Sequence, residues 1–270
     1  MSLPADLPGW LSYIEALHPK SIVMGLDRVE EVRQRLNLYP TFPIITVAGT
    51  NGKGSTCAML ERIYHEAGYR VVSYSSPHLL RYNERVKVDC LEASDQALCS
   101  AFAAVEAARL TTPLTYFEFG TLAAMWHFMQ ADIDIAILEV GLGGRLDAVN
   151  IFDPDCVIVT SIDLDHMDFL GNSRESIGYE KAGVFRRGVV AICGDPNPPD
   201  SLLRHATEVG ADLRQIQRDF GFEAYSNDWT YFSGVTKLAQ LPTPALTGGF
   251  QLYNAACVRR HYKSYNQNCL

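Results

Sequence analysis

An apolar run at residues 43–48 breaks off into Ala48-Gly-Thr-Asn-Gly-Lys-Gly-Ser-Thr56, and this junction constrains the fold more than any other stretch of the chain. Gly49, Gly52 and Gly54 let the backbone turn with its N–H groups inward. Lys53 adds a point charge, and a helical pattern over 55–67 opens directly behind it. A strand, a glycine turn and a helix N-terminus in this order make a cradle for phosphate oxygens, because main-chain N–H groups and the positive helix end converge there. The literal P-loop pattern is not met. Ala48 stands where its first glycine belongs, and Gly54 separates Lys53 from the hydroxyl of Ser55. Taken alone, the same residues also fit an ordinary glycine turn with an exposed lysine.

Apolar runs at 43–48, 70–74, 133–140, 156–162 and 188–192 alternate with helical patterns at 55–67, 94–108, 116–130 and 174–182. Runs that are continuously apolar, such as Ile133-Asp-Ile-Ala-Ile-Leu138, predict strands covered on both faces. The fold class is therefore α/β, a doubly wound and mainly parallel sheet carrying a P-loop variant. Ligands gather at the carboxyl ends of strands in such sheets. Lys53, Ser75, Ser76, Glu139 and the segment 163–166 all follow strand runs. After residue 215 short aromatic and polar pieces, including Asn227-Asp-Trp-Thr-Tyr-Phe-Ser-Gly234, predict a small β-rich region. Leu241-Pro-Thr-Pro244 and Gly248-Gly249 then mark a turn or linker.

With 270 residues, 47% hydrophobic and 20% charged, the chain has the composition of a globular protein with a substantial core. Its formal net charge of −8 argues against a broad nucleic-acid face and favours small anionic ligands held in a local basic cleft. No apolar run reaches the length of a bilayer span, and the N-terminus lacks a secretory pattern. Seven cysteines without a Cys-x-x-Cys spacing suit reduced thiols in a cytoplasm better than a disulfide frame or zinc site. These features predict a cytoplasmic chain with no membrane partner.

Several polar residues invite a chemical reading. Glu139 ends a strand before Val-Gly-Leu-Gly-Gly144, where an acid can hold Mg²⁺ directly or through water. It can equally be a solvated strand-end acid. Ser76 offers a hydroxyl to the same ion, or is a turn serine. His166 is an unusual partner for Mg²⁺, so hydrogen bonding or a softer metal fits it as well. Lys181, by position, is an ordinary helix-surface lysine.

Taken in order, Gly49-Thr-Asn-Gly-Lys-Gly-Ser55, Tyr74-Ser-Ser-Pro-His78, Tyr116-Phe-Glu-Phe-Gly-Thr121, Leu138-Glu-Val-Gly-Leu-Gly-Gly-Arg-Leu-Asp147, Thr160-Ser-Ile-Asp-Leu-Asp-His166 and Glu180-Lys-Ala-Gly183 resemble the bifunctional dihydrofolate synthase/folylpolyglutamate synthase family of Mur-type ATP-dependent ligases. The departures are Val149, Met167 and Phe169, where the family often has threonine, threonine and tryptophan. The resemblance implies a Mur ligase central-domain-like fold. It implies ATP bound through Gly52, Lys53, Gly54, Ser55 and Asn254, and two Mg²⁺ ions held by Ser76, Glu139 and His166. It also implies a carbamylated Lys181, and pterin contacts from Phe117, Glu118, Thr121, Leu146, Asp147 and Ala148. The segment Arg81-Tyr-Asn-Glu-Arg85 matches a mobile loop near the pterin.

The implied activity joins L-glutamate to dihydropteroate and to folyl-glutamates, with Lys53, Glu139, His166 and Lys181 in the catalytic set and a monomer as the working form. A catalytically silent nucleotide- or pterin-binding module is the alternative, and a generic P-loop kinase or GTPase a weaker third. The resemblance runs to about Ala256. It predicts a ligase-like domain over 1–247, a linker at 248–256 to a second domain not present in these 270 residues, and an atypical, poorly ordered tail over 257–270, with turnover reduced accordingly.

Overall fold

The computed structural model describes residues 3–18, 20 and 22–268. In chain order the elements are α1 (Leu7–Leu17), α2 (Asp27–Arg35), β1 (Ile44–Ala48), α3 (Lys53–Glu66), β2 (Val71–Tyr74), β3 (Val86–Val88), β4 (Leu91–Glu92), α4 (Asp95–Arg109), α5 (Tyr116–Phe128), β5 (Ile135–Glu139), β6 (Cys156–Val159), α6 (Met167–Leu170), α7 (Arg174–Ala182), β7 (Val190–Cys193), α8 (Asp200–Val209), β8 (Asp212–Gln215), β9 (Gly221–Ala224), β10 (Asp228–Ser233), β11 (Thr236–Pro242) and α9 (Gln251–Asn268). The chain is a mixed α/β protein in which the predicted strand and helix alternation is present and parallel pairing predominates.

The contacts divide the chain into two compact units, each assembled from separate segments of sequence. The first comprises Met1–Ile44, Glu61–Gly141 and Leu146–Asp153. Its strands run β4-β3-β2-β5, with β2 and β5 parallel and β3 and β4 antiparallel at the edge. β2 and β5 are buried along their whole length, which is why their sequences are continuously apolar. Trp10, Ile14, Val29, Val32, Phe102, Phe119 and Phe128 from α1, α2, α4 and α5 share one apolar core. The sequence reading passes over α1 and α2. Asp6 caps α1 by accepting from the Gly9 N–H, and Pro8 lies in its first turn.

The second unit comprises Ile45–Leu60, Leu142–Arg145 and Pro154–Leu270. Here β1-β6-β7-β8 are all parallel, in the register Ile45↔Cys156 and Val190↔Asp212 at its two sides. The β-rich region is a separate antiparallel sheet, β11-β10-β9, which turns between β10 and β11 at Gly234 with φ +56°. Strand β11 carries through Leu241 and Pro242, where the sequence predicts a turn.

A larger correction falls beyond residue 250. Residues 251–256 of the predicted linker and 257–268 of the predicted tail form one helix, α9. Asn254, Ala255, Ala256, Cys257 and Val258 are buried in succession, more than one full turn, and His261 is buried beyond them, so this part of the helix is enclosed all round and carries no amphipathic stripe. Burial pushes His261 down to about 4, so the ring packs as a neutral group. The last two residues of the predicted tail, 269 and 270, lie outside the described residues. Among the described residues, no helix is long and apolar enough to cross a membrane.

Candidate functional site

In the second unit four residues separate the end of β1 from the start of α3 at Lys53, two residues earlier than the predicted helix start. Gly49 and Gly52 have φ +145° and +86°. A Cβ on Gly49 would stand 1.9 Å from Thr160 Oγ1, and one on Gly52 2.7 Å from the Asn254 side-chain amide. Both positions therefore demand glycine on conformational and steric grounds. Gly54 lies inside α3 and is not left-handed.

Lys53 Nζ curls over the turn and donates to the carbonyls of Gly49 (3.0 Å) and Thr50 (3.3 Å). The turn is pinned from the far side by residues beyond β6. Thr50 N donates to Ser161 O (2.7 Å), and its hydroxyl accepts from Asp163 N (3.0 Å). Asn51 N donates to Ser161 Oγ (3.2 Å), while Asn51 O accepts from Thr160 Oγ1 (2.6 Å). Gln251 Nε2 donates to Ser55 Oγ (3.2 Å), and Asn254 Nδ2 to Gln251 Oε1 (3.1 Å). Gln251, Thr160 and Ser161 carry this geometry without having been singled out as candidates. The available signal is that Thr160 and Ser161 follow β6 as Ser75 and Ser76 follow β2.

His166 is left-handed (φ +47°) at the start of α6, its N–H donates to Asp165 Oδ1 (2.9 Å), and its side chain is half exposed. Lys181 is buried near the end of α7, which sets aside the surface-lysine reading. Beside it, Arg145 N donates to Glu180 O (2.8 Å) and the Arg145 guanidinium pairs with Glu180 Oε1 (2.8 Å). A Cβ on Gly144 would meet the carbonyls of Glu180 and Lys181 at 2.8 and 3.1 Å, so the Leu142–Arg145 segment lies tightly on α7.

The first unit holds the remaining candidates. Glu139 is buried at the end of β5, and its Oε2 accepts from the Ser76 N–H (3.2 Å), so it is not a solvated strand-end acid. Ser75 N donates to Arg85 O (2.9 Å), and Arg85 Nε donates to His78 Nδ1 (2.8 Å). Burial and the neighbouring Arg85 hold His78 below its ordinary value. Phe117 packs near Tyr74, with centroids 5.9 Å apart, and a Cβ on Gly141 would enter its ring face. Thr121 Oγ1 donates to Phe117 O (2.9 Å) and approaches Tyr74 OH (3.5 Å), whose phenol burial pushes up to about 12.

Glu118 is committed within the fold. Oε2 accepts from Thr115 N (2.7 Å) in a capping box, and Oε1 pairs with Arg28 Nη2 (2.8 Å). Asp147 is similarly engaged, with Oδ1 accepting from Val149 N (3.0 Å) at a short 3₁₀ turn that also contains Ala148. Leu146 is half-buried just ahead of that turn.

Among the described residues, no three His, Cys, Asp or Glu side chains converge as a ready metal cage. The hydroxyl of Ser76 and the carboxylate of Glu139 are oxygen donors of the kind Mg²⁺ takes alongside water and phosphate oxygens. The glycine cradle and Lys53 likewise suit a polyphosphate.

The Mur ligase middle domain family matches residues 47–258. Dihydrofolate synthase/folylpolyglutamate synthase of Escherichia coli is 51% identical over 241 residues, covering 89% of this chain and 57% of that protein. The chain thus spans a little over half the length of this relative. The structure of E. coli FolC in complex with DHPP and ADP superposes with TM-score 0.93 at 47% identity, covering 98% of this chain and 63% of that one. A bifunctional folylpolyglutamate synthase/dihydrofolate synthase with Mn, AMPPNP and L-glutamate bound superposes with TM-score 0.90 at 48% identity, covering 97% and 63%. From the loop, the strand-end residues and these matches together, the chain belongs to the dihydrofolate synthase/folylpolyglutamate synthase family and carries its Mur ligase middle domain.

Proposed function

We propose that this chain supplies the ATP- and pterin-binding part of a ligase that joins L-glutamate to dihydropteroate and to folyl-glutamates. The observation that carries the reading is the Gly49–Gly52 turn leading directly into α3, with Lys53 already folded over it. Relatives of the same family bind ADP with DHPP, or Mn with AMPPNP and L-glutamate, which supports the nucleotide, the divalent ion and the substrate class.

A carboxylate resists attack by an amine until one of its oxygens becomes part of a leaving group. In the proposed reaction the pteroate or folate carboxylate attacks the γ-phosphate in line, ADP departs, and glutamate's amine displaces phosphate from the acyl phosphate to form the amide. Gly52, Lys53, Gly54 and Ser55 orient the phosphates, and the Lys53 ammonium offsets the charge that builds on them. Asn254 adds a nucleotide contact. Ser76, Glu139 and His166 are the proposed Mg²⁺ ligands, and bound Mg²⁺ would supply charge neutralisation at the phosphoryl oxygens. Phe117 and Thr121 present one apolar face and one hydroxyl to the pterin, with Leu146, Asp147 and Ala148 beside them in the assignment. Glu118 belongs to the same pterin assignment, and its carboxylate also fixes the start of α5.

Two Mg²⁺ ions, a carbamylated Lys181 and a monomeric, cytoplasmic form belong to the same proposal. So does the division into a ligase domain over 1–247 and a linker, here confined to 248–250. Magnesium titration in the presence of ATP tests the metal assignment. Glu139→Gln keeps the side chain's size but removes the charge, and it should weaken Mg²⁺ binding, as should His166→Ala. Unchanged Mg²⁺ affinity in both proteins defeats the assignment.

A further inference from the structure

We infer that Asp195 and Arg174 are positioning residues for the segment 161–166 and, through Thr50, for the phosphate loop. The inference rests on the nucleotide-binding reading above. Asp195, just beyond β7, is buried, and its Oδ2 accepts from the main-chain N–H of Ile162 (2.8 Å) and from Arg174 Nη2 (2.9 Å). Its Oδ1 accepts from Asn197 N (2.9 Å). Arg174 completes the grip, with Nε donating to Ile162 O (2.9 Å) and Nη2 to Asn197 O (2.9 Å). Both main-chain polar groups of one buried residue, Ile162, are thus held by charged side chains from outside its own strand.

The residues on either side of Ile162 face the phosphate loop. Ser161 O accepts from Thr50 N (2.7 Å), and Asp163 exchanges both of its main-chain bonds with the Thr50 hydroxyl (3.0 and 3.1 Å). Residues 161–163 are therefore a tether with the loop on one side and the Asp195–Arg174 pair on the other. Arg174 also opens α7, so its bond to Ile162 O closes the base of the 163–173 loop that carries His166. Residues 163–169 are exposed and draw no anchoring from burial. The base of the loop at Ile162 holds the near side of His166, while buried Leu170, whose N–H donates to His166 O (3.1 Å), holds the far side. Outer partners that orient a metal ligand typically change metal affinity or activity by roughly 10–100-fold when removed.

The test compares Arg174→Met, Thr50→Val and their double variant in the full chain, reading Mg-ATP affinity by calorimetry and unfolding temperature separately. Each single change should weaken Mg-ATP binding by about tenfold. Thr50 and Arg174 share only the tether, so the double variant should lose less than the product of the two. Arg174→Lys keeps the charge but cannot make the two-point grip, so it should recover the unfolding temperature while remaining as defective in Mg-ATP affinity as Arg174→Met. Asp195→Asn, close in shape, takes the place of Arg174→Met in the cycle if that protein does not fold. Additive losses, or wild-type affinity in the folded variants, overturn the inference. Lys53→Ala separates the two levels. If it weakens binding and the tether variants do not, only the positioning role falls; if the wild-type chain binds no Mg-ATP, the nucleotide reading falls with it.

Discussion

In the second unit the phosphate loop takes its shape from main-chain atoms: two glycines in left-handed or extended-positive φ, a helix N-terminus, and N–H and C=O groups bonded to residues 160–163. In the first unit the face of α5 bearing Phe117, Glu118 and Thr121 takes its shape from side chains. Tyr74 lies against Phe117, and Arg28 reaches Glu118 across 90 residues of sequence. A site made of backbone tolerates change at its glycines least. A site made of side chains spreads the same dependence over many partners, each of which packing can partly replace.

Substitutions that separate these two designs rank by expected effect. Gly49→Ala places a Cβ 1.9 Å from Thr160 Oγ1 at φ +145°, and such a conformation alone costs a non-glycine residue about 1–3 kcal/mol. Mg-ATP affinity should fall by roughly 100-fold or more in calorimetry. An affinity near wild type would show that the backbone is not the determinant. Lys53→Ala removes a charge but leaves the turn, and the expected loss is about tenfold, from a charge-assisted bond worth about 1.5–3 kcal/mol.

On the first unit, Glu118→Gln should lower stability with nucleotide affinity unchanged. Breaking a buried pair costs about 3–5 kcal/mol, and because the Arg28 side chain is 24% exposed, a loss nearer 1–3 kcal/mol is expected in denaturant unfolding. A fall in Mg-ATP affinity instead would blur the distinction between the two designs. The smallest effect belongs to Glu84, whose exposed carboxylate the N–H groups of Leu79, Arg81 and Leu80 hold at about 2, below its ordinary 4.5. Because the folded value is depressed, the order it confers is complete above pH 4.5 and fades as pH falls through about 2. Glu84→Gln should speed hydrogen exchange at those three amides without moving the unfolding temperature. Unaltered exchange rules out the carboxylate as the source of local order.

The same contrast explains what the sequence makes legible. Glycines, strand ends and a lysine lie within a few residues of each other, so the phosphate loop and the alternation of β1, α3, β2, α4, α5 and β5 can be read from spacing. The partners of Glu118 and Ile162 cannot, since Arg28, Arg174 and Asp195 reach them only after the chain has folded back. Helix α9 escapes for another reason. Asn254, Ala255, Ala256, Cys257 and Val258 are buried in succession round more than a full turn and lack large aliphatic side chains, so no single apolar stripe is left for periodicity to find. α1 is missed although its cap is local, because Asp6 and Pro8 serve equally well in a turn.

The bond between Gln251 and Ser55 spans 196 residues, and Asn254 fills the space above Gly52. On a ribosome the glycine turn emerges before the side chains that close it, which arrive with α9 roughly 10–40 s later at ordinary elongation rates. For that interval the turn exists without its roof. If the turn holds nucleotide as proposed, binding would favour the folded form by mass action most fully once α9 has closed the turn. The turn and the side chains that close it are thus brought together well after the turn's own synthesis.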